Sequence, residues 1–155
     1  MDILCTIMAT FIGEYRVKID DKGRVILPAQ IKYLFPEGQT IRFVIKRDLY
    51  QKCLKVFTYS QWEEESAKVL SRLNLYNRKH AEFWREYMRD RAIVEPEGKL
   101  GRMSIPKQML QGIAAEREII FAGCDHFMEI WAKEIYEAAR MDNSEFTALA
   151  EELLG

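Results

Sequence analysis

Gly23-Arg24-Val25-Ile26-Leu27-Pro28-Ala29-Gln30 returns 78 positions later as Gly101-Arg102-Met103-Ser104-Ile105-Pro106-Lys107-Gln108. A self-similarity of this kind outranks any local motif in deciding a fold. Each copy continues alike. An apolar run ends in Asp (Ile41 to Asp48; Glu118 to Asp125), and a strand-like alternation follows, Leu54-Lys55-Val56-Phe57 in one copy and Met128-Glu129-Ile130-Trp131 in the other. The chain therefore reads as two copies of one small unit. A duplicated unit with a basic Gly-Arg turn in each copy suits a symmetric binder, with two equivalent grips on a repetitive target, better than an enzyme.

Working outward, Phe11 to Ile19 reads as a strand, because Tyr15, Val17 and Ile19 alternate with Glu14, Arg16 and Lys18. Asp20-Asp21-Lys22-Gly23 is a turn, with Asp at its start and Gly where positive φ is needed. Val25-Ile26-Leu27 is a second strand, and Pro28 suits the first position of a short helix through Phe35. Ile41 to Ile45 and Leu54 to Phe57 supply two more β-rich segments. The second copy begins near Ile93, turns through Glu95 to Gly101, and ends in strands over Glu118 to Ala122 and Phe127 to Trp131.

Between the copies the pattern becomes helical. Ser60-Gln61-Trp62-Glu63 has the form of a capping box, and Val69, Leu70 and Leu73 continue a stripe from Trp62. Asn77 to Arg91 places His80, Phe83, Trp84, Tyr87 and Met88 on one helical face, a stripe suited to core or subunit packing. The expected division is a first unit over 11–60, a helical insert over 61–91, a second unit over 92–136 and a helical tail over 137–155. Ser144 to Leu154 forms an acidic amphipathic helix that either packs back on the body or binds a partner.

Composition bounds the function. Across 155 residues, 48% are apolar and 30% charged, as in an ordinary globular domain, and no apolar run is long enough to span a bilayer. The opening Met1 to Met8 carries Asp2 where a signal peptide has Lys or Arg, so the protein is read as cytoplasmic. Cys5, Cys53 and Cys124 lack paired spacing and are read as small buried side chains; His80 and His126 form no ligand or triad pattern. Neither cofactor, metal, catalytic residue nor small-molecule substrate is expected. The net charge of −1 conceals a split. Residues 1–60 hold 10 Lys and Arg against 6 Asp and Glu, and residues 61–155 hold 13 against 18. A field this modest attracts phosphates usefully only where several copies stand side by side.

A strand-turn-strand with Lys and Arg at its tip is, on the motif alone, either an ordinary hairpin with solvated basic tips or a probe for the DNA major groove, which admits a two-stranded ribbon. Arg24 can bind a guanine edge bidentately or a phosphate; Lys22, a point charge, is the better phosphate candidate. Arg16 and Lys18 on the preceding strand, and Arg102 and Lys99 in the second turn, complete the candidate DNA-binding set. Asp20, Gly23 and Gly101 are assigned to shaping the turns.

The string IDDKGRVILP from Ile19 to Pro28, its echo GKLGRMSIP from Gly98 to Pro106, and EIWAKE from Glu129 to Glu134 resemble the MraZ family, and the resemblance covers the chain from Phe11 onward. It implies an α+β, mainly β fold: a duplicated AbrB-like double-split β-barrel of two SpoVT-AbrB units, with a two-helix insert and C-terminal helices. It further implies a nucleoid-associated bacterial transcriptional regulator that forms a ring-shaped homo-oligomer. Such a protein binds direct repeats in double-stranded DNA upstream of its own division and cell-wall gene cluster, as a repressor. A ring displaying many copies of Arg24 answers the charge problem by making each added contact intramolecular. The second turn departs from the family pattern, with Gly98 where Asp is expected, which places Arg102 behind Arg24 as a DNA contact. Met1 to Ile7 reads either as an extension or as residues preceding a true start at Met8.

Two rivals stand beside this reading. An antitoxin-like AbrB-fold protein would bind DNA with its barrel and a toxin with its tail. An enzyme would have to use Glu95, Glu97, Asp125 or His126, without any nucleophile motif, phosphate loop or metal spacing.

Overall fold

Burial alternates along the edge strands and the ribbon, whereas the central strands are buried on both faces. In a computed structural model, which describes residues 9–155, the first repeat forms β1 (Glu14–Lys18), β2 (Arg24–Ile26), α1 (Ala29–Lys32), β3 (Phe43–Arg47) and β4 (Leu54–Thr58). The helices α2 (Tyr59–Ser71) and α3 (Arg78–Tyr87) follow. The second repeat then gives β5 (Arg91–Val94), β6 (Arg102–Ser104), α4 (Lys107–Gly112), β7 (Glu118–Gly123) and β8 (Met128–Ala132), before α5 (Lys133–Ala138) and α6 (Asn143–Leu154). The expectations for Met1 to Ile7, Met8 and Cys5 lie outside the described residues.

The strands interleave the two repeats. β1, β7, β8, β4, β3 and β5 make one antiparallel sheet in that order, and β2 pairs with β6 in a separate ribbon. Exchanging each strand for its counterpart in the other repeat reverses the order and leaves every pairing intact. The pairing therefore carries an internal two-fold. Equivalent backbone bonds cross it: Leu27 N–H donates to the Gly101 carbonyl at 2.9 Å, and Ile105 N–H to the Gly23 carbonyl at 3.4 Å. Pro28 and Pro106 lead into α1 and α4 with nearly the same backbone, φ −53°, ψ 136° and φ −52°, ψ 133°.

The fold is α+β and mainly β. Among the described residues its strands do not close into one hydrogen-bonded barrel: β1 and β5 are the sheet's edges, and the three-residue strands β2 and β6 form a separate ladder with each other. The passage from β1 to β2 is made by a side-chain-braced turn instead of a ladder.

The ribbon closes over one face of the sheet. Val25, Leu27, Met103 and Ile105 meet Phe43, Ile45, Val56, Ile119, Phe121 and Ile130 in the main core. Each such side chain contributes about 1.5–3 kcal/mol on burial. On the opposite face α2 and α3 cover a smaller cluster of Val44, Phe57, Trp62 and Tyr87, with Trp84 and Met88 packed against it, so much of the aromatic stripe is packing. Capping differs from the sequence reading. The box is built by Thr58 and Gln61, whose side chains each accept from the other's backbone N–H at 3.2 Å. Ser60 lies within the first turn, because β4 runs straight into α2 and puts the extended residue at 58. Gln61 Nε2 also donates to the Ala9 carbonyl at 2.7 Å.

Candidate nucleic-acid interface

The first Gly-Arg turn is organised by one carboxylate. Asp20 Oδ1 accepts the backbone N–H groups of Lys22 (2.9 Å) and Arg24 (2.8 Å), and its Oδ2 accepts Arg24 Nε at 2.8 Å. These bonds, led by the one from the Arg24 backbone, hold the Asp20 carboxyl below its ordinary pKa of 3.8. Gly23 takes φ 76°, and its N–H donates to the Asp20 carbonyl. A β-carbon there would find room but not a comfortable φ. Asp20 and Gly23 therefore shape the turn. Asp20 also fixes Arg24 through Nε, leaving the two terminal guanidinium nitrogens for another acceptor.

The second turn keeps the glycine conformation but is closed one residue wider, between Glu97 and Arg102 instead of between positions matching Asp20 and Arg24. Gly101, at φ 72°, matches Gly23, but Gly98 stands where Asp20 would. Arg102 N–H instead donates to the Glu97 carbonyl at 2.9 Å, and Glu97 N–H donates back to the Arg102 carbonyl at 2.8 Å. Glu97 supports this turn through its backbone. Among the described residues the Arg102 side chain, which is exposed, has no ion pair.

Ribbon register decides where the two arginines lie. Arg24 is opposite Ser104, and Ile26 is opposite Arg102. Val25 and Met103 between them are 1% and 0% exposed, so Arg24, Ile26, Arg102 and Ser104 share the outward face. Arg24 and Arg102 occupy diagonal positions, about 7–8 Å apart at the backbone. Ile26 and Ser104 were not singled out from sequence; the period-2 alternation through each Gly-Arg string was the signal that places them there.

The remaining candidates stand elsewhere. Arg16 Nε lies 4.0 Å from Glu118 and its Nη2 3.8 Å from Glu137, an exposed network that engages it with acidic neighbours. Arg16, Lys18 and Lys99 line a groove of about 1200 Å³ between β1 and α1. Lys99 also accepts, through its carbonyl, a hydrogen bond from Lys32 Nζ. Lys22 remains exposed at the first turn.

The chain is similar over nearly its whole length to curated bacterial proteins. It is 37% identical to the transcriptional regulator MraZ of Bacteroides thetaiotaomicron over 147 residues, covering 95% of this chain and 94% of that protein. The chain belongs to the MraZ family. The transcriptional regulators MraZ of Bacteroides fragilis and Flavobacterium psychrophilum are 35% and 32% identical, covering 95% and 96% of this chain and 92% and 94% of those proteins. Residues 99–155 match the MraZ family described as "MraZ protein, putative antitoxin-like". The names of these MraZ relatives describe regulation of transcription and not an enzymatic role.

Other polar clusters have structural explanations. The ligand atoms of Asp48, Cys53 and Glu129 lie within 4.8 Å of one another. Asp48 accepts the N–H groups of Tyr50 (3.0 Å) and Gln51 (2.7 Å) and faces Lys55 Nζ at 3.3 Å. Glu129 accepts the Trp131 indole N–H at 3.0 Å, and burial pushes the Cys53 thiol up, keeping it protonated. Cys53 is buried, whereas Cys124 is exposed, because it sits in the tight β7–β8 turn beside Asp125 at φ 62°. Asp125 and His126 are exposed in that turn, away from the large groove. His80 accepts the Asn74 N–H on Nδ1 at 2.8 Å, a loop-closing role. No helix among the described residues is long and apolar enough to cross a membrane.

Proposed function

We infer that the chain is a DNA-binding transcriptional regulator of the MraZ type, whose β2–β6 ribbon enters the major groove of double-stranded DNA. One observation carries the reading: Arg24 and Arg102 share the ribbon's outward face, with Arg24 braced by Asp20. A guanidinium held at Nε presents its terminal nitrogens with little freedom left to lose. That favours a bidentate contact to a guanine edge or a phosphate. Lys22 at the tip meets phosphate, and Arg102 supplies the second contact. The crossing of strands between repeats supports two SpoVT-AbrB-type units, 11–60 and 92–136, joined as a double-split β-barrel with an insert at 61–91 and a tail at 137–155.

Each turn is charge-balanced, Asp20 and Asp21 against Lys22 and Arg24, Glu95 and Glu97 against Lys99 and Arg102. One chain therefore binds weakly, and occupancy requires several ribbons displayed together. A ring-shaped homo-oligomer on direct repeats upstream of its own division and cell-wall gene cluster meets that need. Such a ring obstructs polymerase as a repressor, in the nucleoid region of the cytoplasm. The test is fluorescence anisotropy on upstream against scrambled DNA at two salt concentrations. Preferential, salt-sensitive binding that Arg24→Ala loses at unchanged oligomer mass supports the reading; equal binding to both DNAs by wild type refutes it. An antitoxin-like second reading, in which the tail holds a toxin, is favoured by helix α6, which buries no residue against the described part of the chain. Its mark is a small partner that co-purifies at fixed stoichiometry.

A further inference from the structure

We propose that α6 of one chain docks into the β1–α1 groove of a second copy, making the head-to-tail contact by which the chains assemble. The proposal rests on the homo-oligomer reading and assigns its interface. Helix α6 buries no residue and contributes to neither apolar cluster. Phe146, Leu149 and Leu153, spaced on one stripe, are 62%, 38% and 70% exposed. A 12-residue helix is marginal in water without tertiary cover, so this stripe calls for an apolar surface, and among the described residues of its own chain none buries it.

The groove offers one. Its volume of about 1200 Å³ exceeds the roughly 300–1,000 Å³ of small-molecule pockets and suits one face of a helix about 18 Å long. Its lining includes the exposed apolar side chains Tyr33 and Leu100. Charge is complementary: Arg16, Lys18, Lys32 and Lys99 line the groove against two carboxylates, while Asp142, Glu145, Glu151 and Glu152 make the helix wholly acidic. Groove and helix are different surfaces, so the contact is heterologous and propagates, closing into a ring if the rotation allows. Arg16, Lys18 and Lys99 then serve assembly, and DNA contact falls to the ribbon.

Solution mass of the full chain tests this, with folding of every variant checked by circular dichroism. Wild type is expected to exceed one chain. Phe146→Asp/Leu153→Asp on the helix and Lys18→Glu/Lys32→Glu in the groove should each fall to a single chain. Mixing those two variants should give a two-chain species and nothing larger, because only one intact helix and one intact groove remain. Glu151→Lys/Glu152→Lys introduced into the groove variant should restore the wild-type mass. A multimeric wild type whose helix variant keeps its mass overturns the docking and leaves the homo-oligomer standing. A single-chain wild type overturns both.

Discussion

Replacing Lys46 with Met should change stability in a way that depends on pH, and the structure sets its size. Lys46 lies in β3 with 5% of its surface exposed. Its Nζ sits 4.0 Å from the centre of the Tyr87 ring and donates to the Arg47 carbonyl at 3.3 Å. Desolvation, with repulsion from Arg47 and Arg91, lowers its pKa from 10.5 to about 8. A depressed lysine pKa means that the folded chain holds this proton more weakly than the unfolded one. The cost of burying the charge is thus full below pH 8 and is relieved as pH rises towards 10.5. The whole shift corresponds to about 3 kcal/mol as an upper bound, of which about 2 kcal/mol is recovered between pH 7 and 9.5. Met keeps the apolar stem and removes the charge, so the stability of Lys46→Met relative to wild type should fall by about 2 kcal/mol over that interval. Urea denaturation of both proteins at the two pH values reads the difference directly. A difference that stays constant within a few tenths of a kcal/mol would refute the assignment of a costly buried cation.

Three further outcomes follow from particular contacts. Phe121→Ala empties a fully buried ring site in the main core and should cost about 3–5 kcal/mol, read as a fall in urea midpoint. Asp20→Asn removes the carboxylate that holds Arg24 while keeping an acceptor for the turn. It should weaken preference for upstream DNA over scrambled DNA at unchanged mass; unchanged preference would show that Arg24 needs no brace. Asp48, whose carboxyl is held low chiefly by the Gln51 and Tyr50 N–H groups and by Lys55 against the opposing effect of burial, stabilises the fold above about pH 4. That contribution disappears as pH falls through its lowered value, so Asp48→Asn should flatten the acid limb of a stability–pH profile.

The 78-residue offset between the Gly-Arg strings carried much of the architecture. It anticipated equivalent turns at Gly23 and Gly101 and equivalent prolines ahead of the two short helices. Alternation in each string could also have placed Arg24 and Arg102 on one face, but the partner of each strand was beyond reach of local pattern. That β2 pairs with β6, and β1 with β7, depends on contacts between residues far apart in the chain. The same limit explains Arg16, whose engagement by Glu118 and Glu137 comes from β7 and α5, and Asp48, whose neighbours Glu129 and Cys53 arrive from other segments. For Ser144 to Leu154, amphipathicity fixed the helix but not its destination, since the stripe joins neither apolar cluster of the described residues.

Recognition of DNA is assigned to the ribbon's outward face, with Arg24 and Arg102 on it. Binding of upstream DNA by Arg24→Ala, Arg102→Ala and the double variant, at matched salt and verified oligomer mass, measures that face directly. Loss in each single variant, roughly 5- to 150-fold for a contact of about 1–3 kcal/mol and deeper in the double, is the predicted result. Wild-type affinity in the double variant would contradict it.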